Sequence, residues 1–485
     1  MDCKTEFEMG LKSQLCKRLK SKEEVEQTDR ISDLPDHIIC DVLSYLTMEE
    51  VVRTSILSSR WRYHWKGVTS IRLWGSNSDP NSFANFVEHV LQNCNSTNLE
   101  VFNLSCPVRI DLPRLNTWIR YVLSLNIGKL SLYVNHRPFE LPEFPLPICN
   151  LTCSSLVSVD LRSCFDIQIP DSVVCFPHLK SLDLNVIFPN NLAVLHRLLS
   201  CCPLLERLRL WCYLDDLEVL NLDISVPTLK RLDLWLQEEG YAVIRNYEII
   251  INTPYLEYLS IHDNSLAHYV LNNLYGLRDV HIGYLTQNYG DIEPLHAIRL
   301  LELFHGIRST DILTLHPDTL IVLESALSYP WPTFRYVTML IVSPSSSSAW
   351  TCLALLLQST PNLEVLILDH DEINDLRIND ELYAWNPPES VPSCLLERLQ
   401  KIGIKSFWGK EDEVEVVEYL LNHCQVLELM IIGFFSNKKD EKVAEKLLAF
   451  PRASSTCDVQ VYEHFWFDSF IWLLTSLFFS VSSQI

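Results

Sequence analysis

Residues 205–236 read LERLRLWCYLDDLEVLNLDISVPTLKRLDLWL and hold one short pattern twice. Leu205, Leu208 and Leu210 are spaced L-x-x-L-x-L, and Leu229, Leu232 and Leu234 repeat that spacing 24 residues later. The last two leucines of each copy flank one polar residue, the period-2 mark of a short strand with one buried face. Working outward, the pattern recurs upstream as Leu99/Phe102/Leu104, Ile127/Leu130/Leu132, Leu156/Val159/Leu161 and Leu179/Leu182/Leu184. Downstream it continues as Leu256/Leu259/Ile261 and Leu277/Val280/Ile282, and returns after a less regular stretch as Val337/Leu340/Val342 and Leu363/Leu366/Leu368. The first eight copies start 28, 29, 23, 26, 24, 27 and 21 residues apart.

That spacing is similar to leucine-rich repeats, whose period is roughly 20–29 residues. One such unit cannot bury its apolar face alone, so neighbours must stack into a continuous core. The expected fold class is therefore α/β, a solenoid over residues 76–385 that curves into a horseshoe with its strands on the concave side. The returns between strands read as partly helical. Phe83, Phe86, Val87, Val90, Leu91 and Cys94 form a helical stripe behind Ser82, and Asn191 leads a shorter one through Leu192, Leu195, Leu198 and Leu199. Pro344 with the serines of 345–348 reads as a loop, and residues 386–388 read as a linker.

Ahead of the repeats, residues 30–67 read RISDLPDHIICDVLSYLTMEEVVRTSILSSRWRYHWKG and fit three short helices. Pro35 suits a first turn, where its missing N–H costs nothing, and Asp36 complements the dipole there. Ile38, Ile39, Val42, Leu43 and Leu46 follow at helical spacing. Thr47 and Glu50 form a capping-box pattern for a second helix carrying Val51, Val52 and Ile56. Ser58 or Ser59 is placed to cap a third, with Trp61 and Trp65 on one face. So much apolar surface in so little chain implies a partner.

These residues resemble an F-box of the form found in plant F-box proteins. The resemblance rests on Leu34-Pro35 with its Ile/Leu-rich helix, on 54–58 (TSILS) and on Arg60-Trp61-Arg62 with Trp65. Ser59, where Lys is common, and His64, where Leu is common, depart from it. The resemblance implies docking on a Skp-type adaptor of a cullin–RING (SCF-type) ubiquitin ligase, with the rest of the chain presenting a protein substrate. Leu34, Pro35, Ile38, Leu43, Leu46, Leu57 and Trp61 are the residues expected to form or directly support the adaptor surface. Leu43 and Trp61 are equally placed to hold the helices together.

From Ser390 the chain resembles the FBD domain, which in that plant family follows an F-box and leucine-rich repeats. The resemblance is carried by 391–396 (VPSCLL), 402–409, the acidic entry to 414–424, Leu427/Met430/Ile432 and the closing 450–454 (FPRAS). A helix from Glu413 is expected to turn Val414, Val417 and Leu421 inward, and the unit as a whole to extend the solenoid and cover its end. The expected order is a flexible tail over 1–28, an F-box over 29–75, the repeats over 76–385, the FBD unit over 390–462 and an apolar tail over 463–485. That last tail departs from the family. Its apolar run 465–481 is 17 residues, short of the ~20 that span a bilayer, and Asp468 interrupts it. A marginal tail anchor is one reading; a strand or helix packed on the last repeats, or a tail from an alternative or misread exon, are the others, and of these a non-membrane origin is expected.

Thirty-nine Lys and Arg against 61 Asp and Glu give a net charge of −22, which argues against a nucleic-acid partner. The 16 Cys are scattered, and the N-terminus lacks the apolar core of a signal peptide, so reduced thiols serving as small core hydrophobes are expected. Localisation is expected to be cytoplasm, nucleus or both. Catalytic signatures are missing: there is no G-x-G-x-x-G, H-E-x-x-H or G-x-S-x-G. Residues 403–410 (GIKSFWGK) have five residues between glycines, two of them bulky aromatics, and fail as a phosphate loop. Cys149 and Cys153 lack a second ligand pair at zinc spacing. The acidic run 369–372 reads as a solvated turn rather than a cation site. No cofactor and no catalytic residue are expected.

Target capture is expected at the outward residue after each repeat's last apolar position: Arg162, Asn185, Trp211, Trp235, His262 and Gly283. Trp211 and Trp235 would be neighbours on strands about 4.8 Å apart. Arg209, Asp233, Arg207 and Arg231 would frame them with charge. Packing of these rings on the loops instead is the competing arrangement. The expected function is that of a substrate-recognition subunit. Its alternative is a non-catalytic leucine-rich-repeat scaffold that recruits no ligase.

Overall fold

The computed structural model describes residues 34–75, 79–94, 99–106, 111–134, 144–146, 154–167, 176–188, 192–214, 219–238, 246–265, 267–284, 294–344, 347–369, 385, 387–435 and 440–463. The expectations about the two tails, about Cys149 and Cys153, and about 370–372 lie outside them. The chain divides into two compact units, residues 1–127 and 128–485.

The first unit opens with α1 (Asp36–Leu43), entered from Pro35, and α2 (Met48–Arg53), whose N-terminus is capped by the Thr47–Glu50 capping box. The third expected helix is not α. Thr54–Ile56 and Trp61–Gly67 are 3-10 turns, and Arg60 rather than Ser58 or Ser59 precedes the second. Trp61 and Trp65 are nonetheless both buried. Strand β1 (Ser70–Trp74) pairs in parallel with β2 (Val101–Cys106), aligning Leu73 with Leu104. Between them runs α3 (Pro80–Asn93), which buries Phe83, Val87, Val90 and Leu91. It starts earlier than the stripe behind Ser82 suggested, because the Asp79 carboxylate accepts the Ser82 N–H at 2.9 Å and caps it. Helix α4 (Leu112–Ser124) buries Leu115, Trp118, Ile119 and Val122, and Arg114 on it reaches Glu88 of α3 at 2.7 Å.

The second unit is built on one parallel sheet. Its strands are β3 (Lys129–Val134), β5 (Ser158–Ile167), β6 (Ser181–Phe188), β7 (Arg207–Leu214), β9 (Arg231–Glu238), β11 (Tyr258–Asp263) and β13 (Asp279–Tyr284). They are followed by β14 (Ile312–Leu315), β15 (Met339–Val342), β16 (Val365–Asp369), β17 (Lys401–Phe407), β18 (Leu429–Phe434) and β19 (Asp458–Tyr462). Each pairs with the next in that order, and the short β4 (Phe144–Leu146) adds to β5. One core position runs through the array: Leu208, Leu232, Leu259, Val280, Leu313, Leu340, Leu366, Ile402, Met430 and Val459 are cross-strand neighbours in succession. The ladder is the stacked core that the repeat period requires. The FBD-like segment supplies its last strands.

The returns differ from expectation in the middle of the array. Helix α5 (Leu192–Ser200) leads into β7, as the leucine stripe implied. The next three returns contain strands, β8 (Val219–Ile224), β10 (Asn246–Asn252) and β12 (His268–Asn272), which form a separate parallel sheet with β10 in its centre. Leu220, Leu222 and Ile224 alternate with exposed residues, and Tyr247, Ile249 and Ile251 alternate with half-buried ones. Isolated strands cannot pair, so this sheet exists only because three successive returns lie side by side. The turn into β12 is fixed by Asp263, fully buried, whose carboxylate accepts from Ser265 N and Oγ at 2.7 Å, Ala267 N at 2.9 Å and Tyr269 OH at 2.8 Å.

Helical returns resume with α6 (Pro294–Gly306), α7 (Pro317–Glu324), α8 (Ser347–Ser359), α9 (Ser393–Glu397), α10 (Glu411–His423) and α11 (Glu441–Ala449). Ser347 and Ser348 therefore open a helix rather than continuing the expected loop. Helix α10 turns Val414, Val417 and Leu421 inward as expected, and Trp350 Nε1 on α8 donates to its Asp412 at 2.6 Å. The ten cysteines whose side chains are described are all free. Burial pushes the Cys106, Cys352 and Cys394 thiols up to about 12, which leaves them inert as nucleophiles.

Candidate functional sites: the N-terminal helices and the open face of the repeat sheet

In α1 the apolar side chains separate into two sets. Ile39 and Leu43 face inward and are fully buried. Ile38, Val42 and Tyr45, spaced four and three apart, form an outward stripe exposed by 36, 48 and 78%. Ile56 and Leu57 follow at 85 and 65%, and Tyr63 is also exposed. Arg60 fixes this region: its Nη2 donates to the Leu34 carbonyl and, at 2.6 Å, to Asp36. The same guanidinium holds the Asp36 carboxyl below the usual carboxylate range.

Of the residues expected at an adaptor surface, Pro35, Ile38 and Leu57 are exposed, Leu34 and Leu46 are half-buried, and Leu43 and Trp61 lie in the core. Val42, Tyr45, Ile56 and Tyr63 are exposed apolar residues that the sequence reading did not single out as a surface. The helical spacing of Ile38, Val42 and Tyr45 was visible, but spacing alone does not tell which of two stripes is covered.

On β7 the alternation places Arg207, Arg209 and Trp211 opposite the leucine ladder, and on β9 it places Arg231, Asp233 and Trp235 there. Trp211 pairs in register with Trp235, and Trp235 with His262. The two indoles stack with centroids 4.3 Å apart and planes 11° from parallel; the His262 ring stacks on Trp235 at 3.7 Å and 12°. Gly283 is the next position, and His316 closes the row, edge-on to His262 at 4.9 Å. Burial, reinforced by His316 and His281, pushes His262 down to about 3, so the stacked ring is neutral at ordinary pH. At the other end the register neighbour of Trp211 is Asn185.

Beside the rings lies a charged row. Arg209 Nη1 donates to Asp183 at 3.1 Å and Arg209 Nε lies 3.9 Å from Asp233, while Arg162 bonds Asp160 at 3.1 Å. The Arg231 guanidinium lies 3.6 Å over the Tyr258 ring. Burial raises the Asp183 and Asp233 carboxyls despite these arginines. Oδ1 of Asp183 is buried without a hydrogen-bond donor, leaving an acceptor on this face. The sequence reading brought Arg209, Trp211, Asp233, Trp235 and His262 together, and so does the structure. It missed Asp183, Tyr258, His281 and His316, although Asp183 occupies the same L-x-L slot as Arg209 and was legible from it. Among the described residues there is no group of three or more His, Cys, Asp or Glu that could hold a metal ion.

Both regions fall in segments that resemble known protein families. Family models match three segments: the F-box domain over residues 31–73, the LRR repeats of FBD-associated F-box protein At5g56370 over 115–274, and FBD over 386–432. The chain thus carries segments similar to an F-box, to LRR repeats and to FBD, in that order. Relatives from Arabidopsis thaliana match over most of their length. F-box/FBD/LRR-repeat protein At3g52680 is 28% identical over 89% of this chain and 92% of its own. Putative FBD-associated F-box protein At5g53635 is 29% identical over 88% of this chain and 99% of its own. The exposed apolar stripe of α1 and the Ile56-Leu57 pair thus belong to the F-box segment, and the ring ladder to the LRR segment.

Proposed function

We propose that this F-box/FBD/LRR-repeat chain is the substrate-recognition subunit of an SCF-type, cullin–RING ubiquitin ligase. The observation that carries the reading is the apolar surface its F-box helices leave in water: Ile38, Val42, Tyr45, Ile56, Leu57 and Tyr63. A Skp-type adaptor is the partner whose class an F-box implies, and truncating a hot-spot anchor of such an interface typically costs about 2 kcal/mol or more. The chain itself is proposed to be non-catalytic and to act by proximity, holding target lysines near ubiquitin that partner subunits activate. This work belongs to the cytoplasm, the nucleus or both.

The target is proposed to bind the open face of β6–β11. Trp211 makes its ring contact with Trp235 on one side, and Asn185 beside it is too short to cover the other. A planar side chain of the target would extend the stack there. Arg207 is exposed next to Arg231, so an aromatic residue flanked by an acidic one fits the surface best. Co-purification of the full chain with a Skp-type adaptor, against a chain carrying Ile56→Ser and Leu57→Ser, tests the reading. Equal recovery of adaptor with both folded chains would leave only a scaffold that recruits no ligase.

A further inference from the structure

Cations gather at the rim where β6, β7 and β9 begin. The first residue of each strand and the one before it form a block: Lys180-Ser181, Glu206-Arg207 and Lys230-Arg231. Backbone bonds lock these pairs side by side, with the Glu206 N–H donating to the Lys180 carbonyl and the Lys230 N–H to the Glu206 carbonyl, both at 2.9 Å. Arg207 is in register with Ser181 on one side and Arg231 on the other. All four cations are exposed. One carboxylate, Glu206, serves both lysines, 2.9 Å from Lys180 Nζ and 3.3 Å from Lys230 Nζ, and Lys180 and Lys230 hold it below the usual carboxylate range. Arg207 makes no ion pair or hydrogen bond among the described residues.

This block works against folding and against the character of the chain. Like charges directly opposite on neighbouring strands repel, and Arg207 faces Arg231 without a carboxylate of its own. The same two positions on β11, β13 and β14 hold Glu257-Tyr258, Arg278-Asp279 and Asp311-Ile312. There three carboxylates meet one cation, in keeping with a chain of net charge −22. Arg231 is held in place, 3.6 Å over the Tyr258 ring and with its Nε 4.0 Å from Asp233. An anion from outside would relieve the two arginines. A carboxylate brings one charge and two acceptor oxygens. A phosphoryl group brings about −1.5 to −2 and three acceptors, closer to the excess of four cations over one carboxylate, and it accepts forked bonds from guanidinium groups.

We propose that the rim of β6, β7 and β9 is a phosphate-binding subsite, filled by a phosphoserine or phosphothreonine of the protein captured on the open face. It rests on the reading that a target binds this face, and it holds whether or not the chain recruits a ligase. Arg207 and Trp211 lie four residues apart on β7, roughly 13 Å of extended chain. An extended target segment running along the strand therefore sets its phosphorylated residue four positions from the planar side chain that stacks on Trp211. Arg209, between the two, is engaged by Asp183 at 3.1 Å and lies 3.9 Å from Asp233, which leaves the phosphate to Arg207 and Arg231.

The test passes two peptide libraries over the immobilised full chain, one with phosphoserine fixed at the centre and one with serine there, all other positions being random. The phosphoserine library should be retained at least tenfold better, and its retained peptides should be enriched in Trp, Tyr or Phe four residues from the phosphoserine. Arg207→Gln should bring retention down to the level of the serine library without lowering the melting temperature. Trp211→Ser should keep the preference for phosphoserine and lose the aromatic enrichment. Equal retention of the two libraries overturns the proposal, as does undiminished retention or a lowered melting temperature for the Arg207 variant. Phosphoserine retention without the aromatic preference would mark a general polyanion surface and equally overturns it. Target capture from cells that falls for Trp211→Ser but not for Arg207→Gln would keep the open face as the target site and remove the phosphate subsite alone.

Discussion

The Cβ that Gly283 lacks would lie 2.5 Å from Nδ1 of His262, so the ring ladder of β7, β9 and β11 stops at β13 because that strand offers no side chain. Gly283 is in register strand conformation; what the position requires is space. His262 has nowhere to retreat, with Trp235 stacked at 3.7 Å on one side and His316 on the other. Gly283→Ala should therefore destabilise the repeat unit by about 1–3 kcal/mol and weaken the coupled indole signal in circular dichroism. An unchanged spectrum and melting temperature would show that the His262 ring does not occupy this slot.

Trp211 and Trp235 face away from the leucine core and are half-buried. Their stacking is worth about 0.5–1.5 kcal/mol, far less than a core residue. Changing both to Ser should lower the melting temperature only slightly and leave adaptor binding intact, while target recovery from cells under proteasome block falls at least tenfold. A large loss of stability would instead assign the rings to the core.

His262 couples this face to pH. Its folded pKa, about 3, lies below the ordinary 6.5, so the unfolded chain takes up the proton first as pH falls. The stability that the neutral ring contributes is complete above about 6.5 and is lost as pH falls toward 3. By pH 5 the loss is about 2 kcal/mol, at 1.36 kcal/mol per unit. Denaturant titrations at pH 7.5 and 5.0 should show a smaller acid loss for His262→Asn than for the natural chain. Parallel losses would remove His262 from the account.

In the F-box, exposure separates anchors from supports. Leu43 is fully buried and Leu57 is 65% exposed. Leu43→Ala should cost about 2–5 kcal/mol of stability and lose adaptor through unfolding. Leu57→Ser should leave the melting temperature unchanged and still reduce adaptor recovery at least tenfold. Unaltered recovery for the Leu57 variant would place the adaptor surface elsewhere on these helices.

The sequence by itself determined which residues alternate. L-x-x-L-x-L at Leu205 and Leu229 set two neighbouring strands and made Trp211 and Trp235 equivalent positions on them, because a period of two leaves no choice of face once the leucines are buried; that the rings stack on each other rather than on the loops was decided by the tertiary structure. The Thr47–Glu50 capping box and the helix around Val414 were legible for the same local reason. Leu217, Leu220 and Leu222 carry the identical spacing, yet they were passed over as part of a return. Only the tertiary structure decided that β8 finds β10 and β12, since a strand needs a neighbour that no local pattern supplies. It also decided that Leu43 and Trp61 are buried while Ile56 and Leu57 are not, and that Val365, Ile367 and Ile431 are buried on the face opposite the leucines. Periodicity sorts side chains onto faces, but whether a face meets water or another part of the chain depends on what the fold brings over it.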